Sequence, residues 1–321
     1  QDLHAHPELS FQESWTSSFI AEKLRAFGLE VHTGLGGTGV VGVLRGIRAG
    51  PGMGLRADMD GLPVPEATGA AHTSQNSGRM HACGHDGHMA MLLGAARDLA
   101  KSRDFSGALH FIFQPAEEGG AGAQAMIQAG LFDKFPCKAV FGLHNWPSLP
   151  AGWMGVPRGP ALAASDTFEI TVHGRGSHGA MPHQGHDPVV AASHVVVALQ
   201  TIASRNTDPL ETAVITVSQI HGGEATNVIP DRVVLRGTFR TFSPEIRASV
   251  KGSIARISEG LCSALGTRAE ARFQDGYPAT INAASEADFA AGVADGVFGK
   301  DRVARDQKPT MGSEDFSYYL N

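Results

Sequence analysis

The residues His81-Ala82-Cys83-Gly84-His85-Asp86-Gly87-His88 form the densest run of metal-binding side-chain types in the chain. Thiolate and imidazole together suit Zn, Ni, Co or Mn better than Ca or Mg. Cys83 and His85 are two apart, so an extended backbone points both to one side, and Gly84 between them lets the chain turn. A free Cys is usually just a buried small residue, and a polar loop with unrelated histidines is the bland alternative. The crowding of imidazoles, thiol and carboxylate favours a metal.

Three further segments carry chemistry. In Gln114-Pro115-Ala116-Glu117-Glu118-Gly119-Gly120 two carboxylates are adjacent, and they repel each other unless a cation holds them. One could ligate a metal while its neighbour takes a proton from water. An isolated Glu-Glu pair is more often a solvated turn, but this one follows an apolar run, at the strand end where open α/β sheets bind ligands. His144 in Gly142-Leu143-His144-Asn145 follows another such run and becomes a ligand candidate by the same placement. In Leu55-Arg56-Ala57-Asp58-Met59-Asp60, Asp58 and Asp60 point the same way from an extended segment. Asp60 could hold a metal-ligating His from behind; a salt bridge to Arg56 is the equal alternative.

The elements needed to position these residues are legible in outline. Phe19, Leu24 and Phe27 mark a helix stopped at Gly28. Val40–Leu44, Met53–Arg56, Ala108–Phe113 and Ala139–Leu143 read as strands, and 88–100 and 122–129 as helices. This alternation argues for an α/β core with a largely parallel sheet. After Pro160 come a strand at Thr167–Val172, a helix opened by Asp187-Pro188 and reaching about Ser204, and strands at Ala213–Ile220 and Val233–Thr241. A helix from Ser243-Pro244 to about Leu265 and a strand at Arg268–Phe273 follow. That β-α-β-β-α-β order belongs to a ferredoxin-like sandwich. The expected division is 1–160 plus 272–321 for one domain, the helix at 283–297 returning to it, and 161–271 for an inserted satellite.

Composition narrows the function classes. The net charge is −6 with both signs interspersed, so no basic stripe invites nucleic acid. No apolar run approaches the ~20 residues of a membrane span. Three cysteines, Cys83, Cys137 and Cys262, are an odd and sparse set that argues against a disulfide framework and fits a reducing, cytoplasmic compartment. The first residue is Gln1, and Asn321 follows with no closing element, so a piece of a longer chain is expected.

Taken together, His81–Asp86, Gln114–Gly119, Met311-Gly312-Ser313-Glu314-Asp315-Phe316 and the opening Asp2-Leu3-His4-Ala5-His6-Pro7-Glu8-Leu9-Ser10-Phe11 resemble the amidohydrolase branch of the aminoacylase/carboxypeptidase metallopeptidases. Hippurate hydrolases, N-acyl-amino-acid amidohydrolases and indole-acetyl-amino-acid hydrolases belong to it. The resemblance implies a zinc-exopeptidase-like mixed sheet flanked by helices, with an inserted α+β satellite used as lid and dimerisation domain. It implies two divalent metals (Mn, Zn, Ni or Co) held by Cys83, His85, Glu118 and His144, with the thiolate bridging. Glu117 would be the general base and Asp60 a catalytic helper. The branch takes one more ligand His near its C-terminus; no His follows His221 here, so this chain has no counterpart of that ligand, and one metal would be under-coordinated if the molecule ended at Asn321. His178, in Gly176-Ser177-His178-Gly179, would stabilise an oxyanion, and Asn227 and Arg240 would grip substrate. Without the resemblance, a surface His and a strand Arg opposite an acid are the ordinary readings.

The implied reaction is hydrolysis of the amide bond of an N-acyl amino acid by metal-activated water, in a homodimer or higher homo-oligomer built through the satellite. A metallo-exopeptidase acting on short peptides and a catalytically silent metal-binding homologue are the competing readings.

Overall fold

The computed structural model describes residues 1–320, in two units: Gln1–Val156 with Ala284–Arg305 and the stretch from Asp315, and Pro157–Ala283 with Asp306–Glu314. In the first unit, helix α1 (Ser14–Ala26) buries Ile20, Ala21 and Leu24, and the chain then turns through Gly28. Strands β1 (Glu30–Leu35), β2 (Gly39–Arg45) and β3 (Arg48–Asp58) follow. Helix α2 (His85–Ser102), β4 (Ser106–Gln114), helix α3 (Gly122–Gln128) and β5 (Ala139–Gly142) complete the frame.

The strand order is β1-β2-β4-β3-β5. β3, β4 and β5 are mutually parallel, while β1 and β2 run antiparallel to their neighbours. The sheet is therefore mixed, as the family resemblance implied, and not largely parallel as the strand–helix alternation alone suggested. The reason is connection length: a parallel pairing needs a crossover of about a dozen residues or more, and only Gly36-Gly37-Thr38 separates β1 from β2. Both faces are covered, so the central strands read as unbroken apolar runs. Val40, Leu44, Phe111 and Phe113 pack toward α1 and α2 with Leu24 and Met89; Val41, Val43 and Ile112 pack on the other face with Met126 and Leu131. Alternate residues thus serve opposite layers. The helix Ala284–Phe298 belongs to this unit, with its own small core of Val156, Ala287, Ala291, Ala294 and Val303.

The second unit contains β6 (Ala164–His173), helix α4 (Pro188–Thr201), β7 (Ala213–His221), β8 (Arg232–Thr241), helix α5 (Pro244–Ala264) and β9 (Arg268–Asp275). Its sheet runs β7-β8-β6-β9, antiparallel throughout. The chain order β-α-β-β-α-β is the one expected for a ferredoxin-like sandwich. Both helix starts are capped: Asp187 accepts from Val189 N at 2.8 Å, and Ser243 Oγ accepts from Ile246 N at 3.2 Å. Phe168, Ile170, Val172, Val233, Leu235 and Phe239 meet Val195, Leu199, Val250 and Ile254 in one core on the helical side of the sheet.

The unit's ends lie beyond 161–271. The strands Gly159–Leu162 and Thr280–Asn282 pair, and Ala163 N donates to Gly312 O at 2.8 Å. Those ladder bonds tie both flanks and the stretch 306–314 to the satellite. Among the described residues no helix is long and apolar enough to cross a membrane.

Candidate active site

The parallel strands β3, β4 and β5 all end at one edge of the sheet, where open α/β sheets bind ligands. β3 delivers Asp58 and, two residues on, Asp60; β4 delivers Gln114 and then Glu117-Glu118; β5 delivers His144. The first turn of α2 supplies His85, with Cys83 just before it. Gly84 sits between them at φ +89°, and a Cβ there would come within 2.4 Å of the Asn145 amide. Glycine is thus required both by the left-handed backbone and by the close approach of the β5 loop.

These elements bring five expected residues together. The ligating atoms of Cys83, His85 and His144 lie within 4.8 Å of one another, as do those of His85, Glu117 and Glu118. Cys83 Sγ is 3.5 Å from His144 Nε2. His85 Nε2 and Glu118 Oε1 are 3.9 Å apart. Both of those atoms are buried without a hydrogen-bond partner. Two buried polar atoms that face each other without hydrogen bonds, beside a thiol and a second imidazole, fit a cation, since leaving such groups unsatisfied in the interior is costly.

The imidazoles are oriented for the same purpose. His85 Nδ1 donates to Asp60 O at 2.8 Å, and His144 Nδ1 donates to Asn145 O at 2.7 Å. Each ring therefore presents Nε2 to the cluster. The Asp60 carboxylate accepts from Glu117 N and Glu118 N, both at 3.0 Å, and from Ser10 Oγ at 2.7 Å. It thus fixes the backbone of the two glutamates. The Arg56 salt bridge goes to Asp58 instead, at 2.7 Å.

The charges respond to this crowding. Burial alone lowers the His85 pKa, but Asp58, Asp60 and Cys83 outweigh it and hold the imidazole well above its usual range. His144, within hydrogen-bonding distance of the sulfur, pulls the Cys83 thiol down, and the neighbouring His85 imidazole adds to the pull. Burial pushes Glu118 up, helped by Asp60 against the pull of His85. Burial also works to raise Asp58, yet Arg56, His85 and His88 hold its carboxyl far below the carboxylate range.

Several supporting residues were not singled out by spacing. His88 Nδ1 donates to Asp58 Oδ1 at 2.7 Å, and its Nε2 accepts from Asn145 N at 2.9 Å, so it braces the residue next to His144. Buried Glu13 accepts from Ala116 N at 2.9 Å and from Thr38 Oγ1 at 2.6 Å. Ala116 is held at φ +53° immediately before Glu117, an uncommon conformation of the kind that clusters at functional sites. Asp315 accepts from Arg56 Nη2 at 3.0 Å and from Ala123 N at 2.9 Å, and so joins β3 to the start of α3. His88 lay in the dense histidine run and Asp315 in a motif shared with the family, but their supporting roles, like that of Glu13, show only in their burial and partners.

In the satellite, Ser177–His178 pairs with Val228–Ile229, and Gly179 N donates to Asn227 O at 2.7 Å, which makes His178 and Asn227 neighbours. His178 Nδ1 accepts from Ala180 N at 3.1 Å, so the neutral ring carries its proton on Nε2. Arg240 is half-buried on β8 and donates to Ser313 Oγ at 3.2 Å; its neighbour across to β6 is Ser165 rather than an acid.

Comparison with known proteins agrees with this architecture. The model of peptidase family M20/M25/M40 matches residues 54–321. The chain is similar to an N-acetyl-L-cysteine deacetylase of Bacillus subtilis, at 42% identity over 99% of this chain and 76% of the relative. It is similar to a hippurate hydrolase of Campylobacter jejuni, at 43% identity over 99% of this chain and 82% of the relative. Among solved structures it resembles a dinuclear metal binding peptidase of the M20 family from Bacillus subtilis, with a TM-score of 0.87 at 36% identity, covering 99% of this chain and 83% of that one.

Proposed function

Because the chain belongs to peptidase family M20/M25/M40, we propose that it is a metal-dependent amidohydrolase that cleaves the amide bond of N-acyl amino acids. The observation that carries this reading is the pair of facing buried atoms on His85 and Glu118 that make no hydrogen bond, set beside Cys83, His144 and Glu117. The deacetylase and hydrolase relatives support the choice of substrate.

Cys83, His85, Glu118 and His144 would hold two divalent ions, and the thiolate and imidazoles suit Mn, Zn, Ni or Co. When bound, the ions supply Lewis acidity to the acyl oxygen and to the attacking water. Glu117 takes the proton from that water and returns it to the leaving amine. Asp60 keeps the Glu117 and Glu118 backbones in place during that exchange. His178 donates from Nε2 to the developing oxyanion. Asn227 and Arg240 bind the rest of the substrate, with the guanidinium paired to its free carboxylate.

Hydrolysis of hippurate and N-acetyl amino acids by the metal-loaded protein, measured beside dipeptides and longer peptides, tests the reading. The acylated amino acids are expected to be turned over fastest; a preference for peptides would replace it with an exopeptidase. Glu117→Gln should keep its metal by elemental analysis and lose at least about 100-fold in kcat, the scale of general acid–base catalysis. Turnover near wild type in that variant would end the assigned role.

We also assign the satellite as a homodimer interface. β7 is an edge strand, with Val214 and Ile220 exposed, and Val189, Val190 and Val197 are exposed on α4. An unpaired edge beside apolar surface invites a second copy. Light scattering is expected to return twice the chain mass, and a monomer at all concentrations would exclude it. The three free thiols suit a reducing compartment such as the cytoplasm.

A further inference from the structure

One face of the satellite sheet packs on α4 and α5; the other carries an organised set of charges. Arg232, Arg236 and Arg240 lie four residues apart along β8 and share that open face, which spaces them about 13 Å apart at each step. On β9, Arg268 and Arg272 point the same way. β6 runs between the two strands and places His173 opposite Arg232 on one side and Arg268 on the other. Glu169 likewise sits between Arg236 and Arg272.

The face therefore carries five arginines against two glutamates, Glu169 and Glu270. Glu169 is held by Arg236 at 2.8 Å, and Glu270 pairs with Arg268 and lies 4.0 Å from Arg272. His173 Nε2, in the middle of the Arg232–Arg268 row, is buried with no partner. A chain of net charge −6 thus reverses its sign on one β-sheet face, and Arg240 sits on that same face.

We propose that this face is an electropositive track that concentrates carboxylate-bearing substrates at Arg240 and so selects N-acyl amino acids over uncharged amides. The inference rests on the amidohydrolase reading with Arg240 as the carboxylate grip. The physical basis is charge complementarity. A surface lined with one sign of charge raises the local concentration of the opposite ion within the Debye length, which is about 30 Å at 0.01 M salt and so spans the row from Arg232 to Arg240, and shrinks to about 10 Å at 0.1 M. The overall negative charge would otherwise disfavour the approach of an anion.

The test uses dansylglycine, whose sulfonamide is not an acyl amide and so does not depend on turnover, and dansylglycinamide, which lacks the carboxylate. Fluorescence titrations at low and high salt compare the wild type with the triple variant Arg232→Gln, Arg268→Gln, Arg272→Gln. A second triple variant, Arg25→Gln, Arg45→Gln, Arg97→Gln, removes equal charge from exposed positions of the other unit. Circular dichroism confirms that each is folded. Dansylglycine is expected to bind the β-sheet variant roughly three- to tenfold more weakly at low salt, with the difference vanishing at high salt. Dansylglycinamide and the control variant should show little change. Equal dansylglycine affinity in the wild type and the β-sheet variant, or a parallel loss of both probes, would overturn the track.

Hydrolysis separates the two claims. With an N-acyl amino acid as substrate, the β-sheet variant should show the change in KM rather than kcat. If the dansylglycine pattern holds while the metal-loaded wild type turns over no N-acyl amino acid, the track stands and the amidohydrolase reading falls. If turnover is found and the dansylglycine pattern is absent, the reverse is true.

Discussion

At the scale of single residues, the site is defined by what its buried atoms lack. Asp58 and Asp60 are two residues apart and chemically identical, yet they do different things. Asp58 neutralises Arg56 and orients His88, while Asp60 turns its carbonyl to His85 and its carboxylate to the Glu117 and Glu118 amides. The carboxylates around His85 raise its pKa, so its proton stands where positive charge is wanted. A metal must displace that proton. Metal uptake at neutral pH is therefore expected to release protons, and affinity should climb as pH rises toward the raised His85 pKa. Calorimetry in buffers of different protonation enthalpy reads this directly, and a binding heat independent of the buffer would contradict it.

At the scale of elements, the turn that follows β4 carries the most local constraint. The chain leaves Gln114, places Ala116 at positive φ, and re-enters a helix at Gly122 within a few residues. A Cβ on Gly122 would lie 1.7 Å from Pro115 O, which is backbone and has little room to move. Gly122→Ala is expected to destabilise the first unit by about 1–3 kcal/mol, as overpacking does, and to displace Glu117 with it. Thermal melting and kcat of that variant should fall together; an unchanged melting temperature would show that the turn relaxes freely. Helix α4 shows a different local result. Its pattern pointed to an end near Ser204, but the α-helix stops at Thr201 and a π-helical turn, Ile202–Asn206, finishes it and buries Ile202. Packing, not propensity, decided that turn.

At the scale of the molecule, the satellite is an insertion whose two ends meet. Asn282 pairs with Gly159, and its side chain donates to Pro157 O at 3.0 Å. Its core draws on no residue of the first unit. Residues 157–283 are therefore expected to fold when expressed alone, with one cooperative melting transition by circular dichroism. A fragment with no transition would mean that 306–314 or the first unit is needed to complete it.

The sequence by itself determined the residue types of the candidate site, the strands and helices that carry them, and the presence of an inserted α+β unit. Those follow from local physics: apolar periodicity, capping at Asp187 and Ser243, and glycine where a turn must close. Local patterning did not determine the strand directions of the mixed sheet, which only the family resemblance implied, nor the true limits of the satellite or the supporting roles of Glu13, His88 and Asp315. Strand direction depends on the short β1–β2 link and on where β4 inserts. The satellite's limits depend on ladder bonds between segments more than a hundred residues apart in the chain. A polar side chain becomes a support only when burial removes water as its partner, and burial belongs to the folded molecule rather than to any window of the chain.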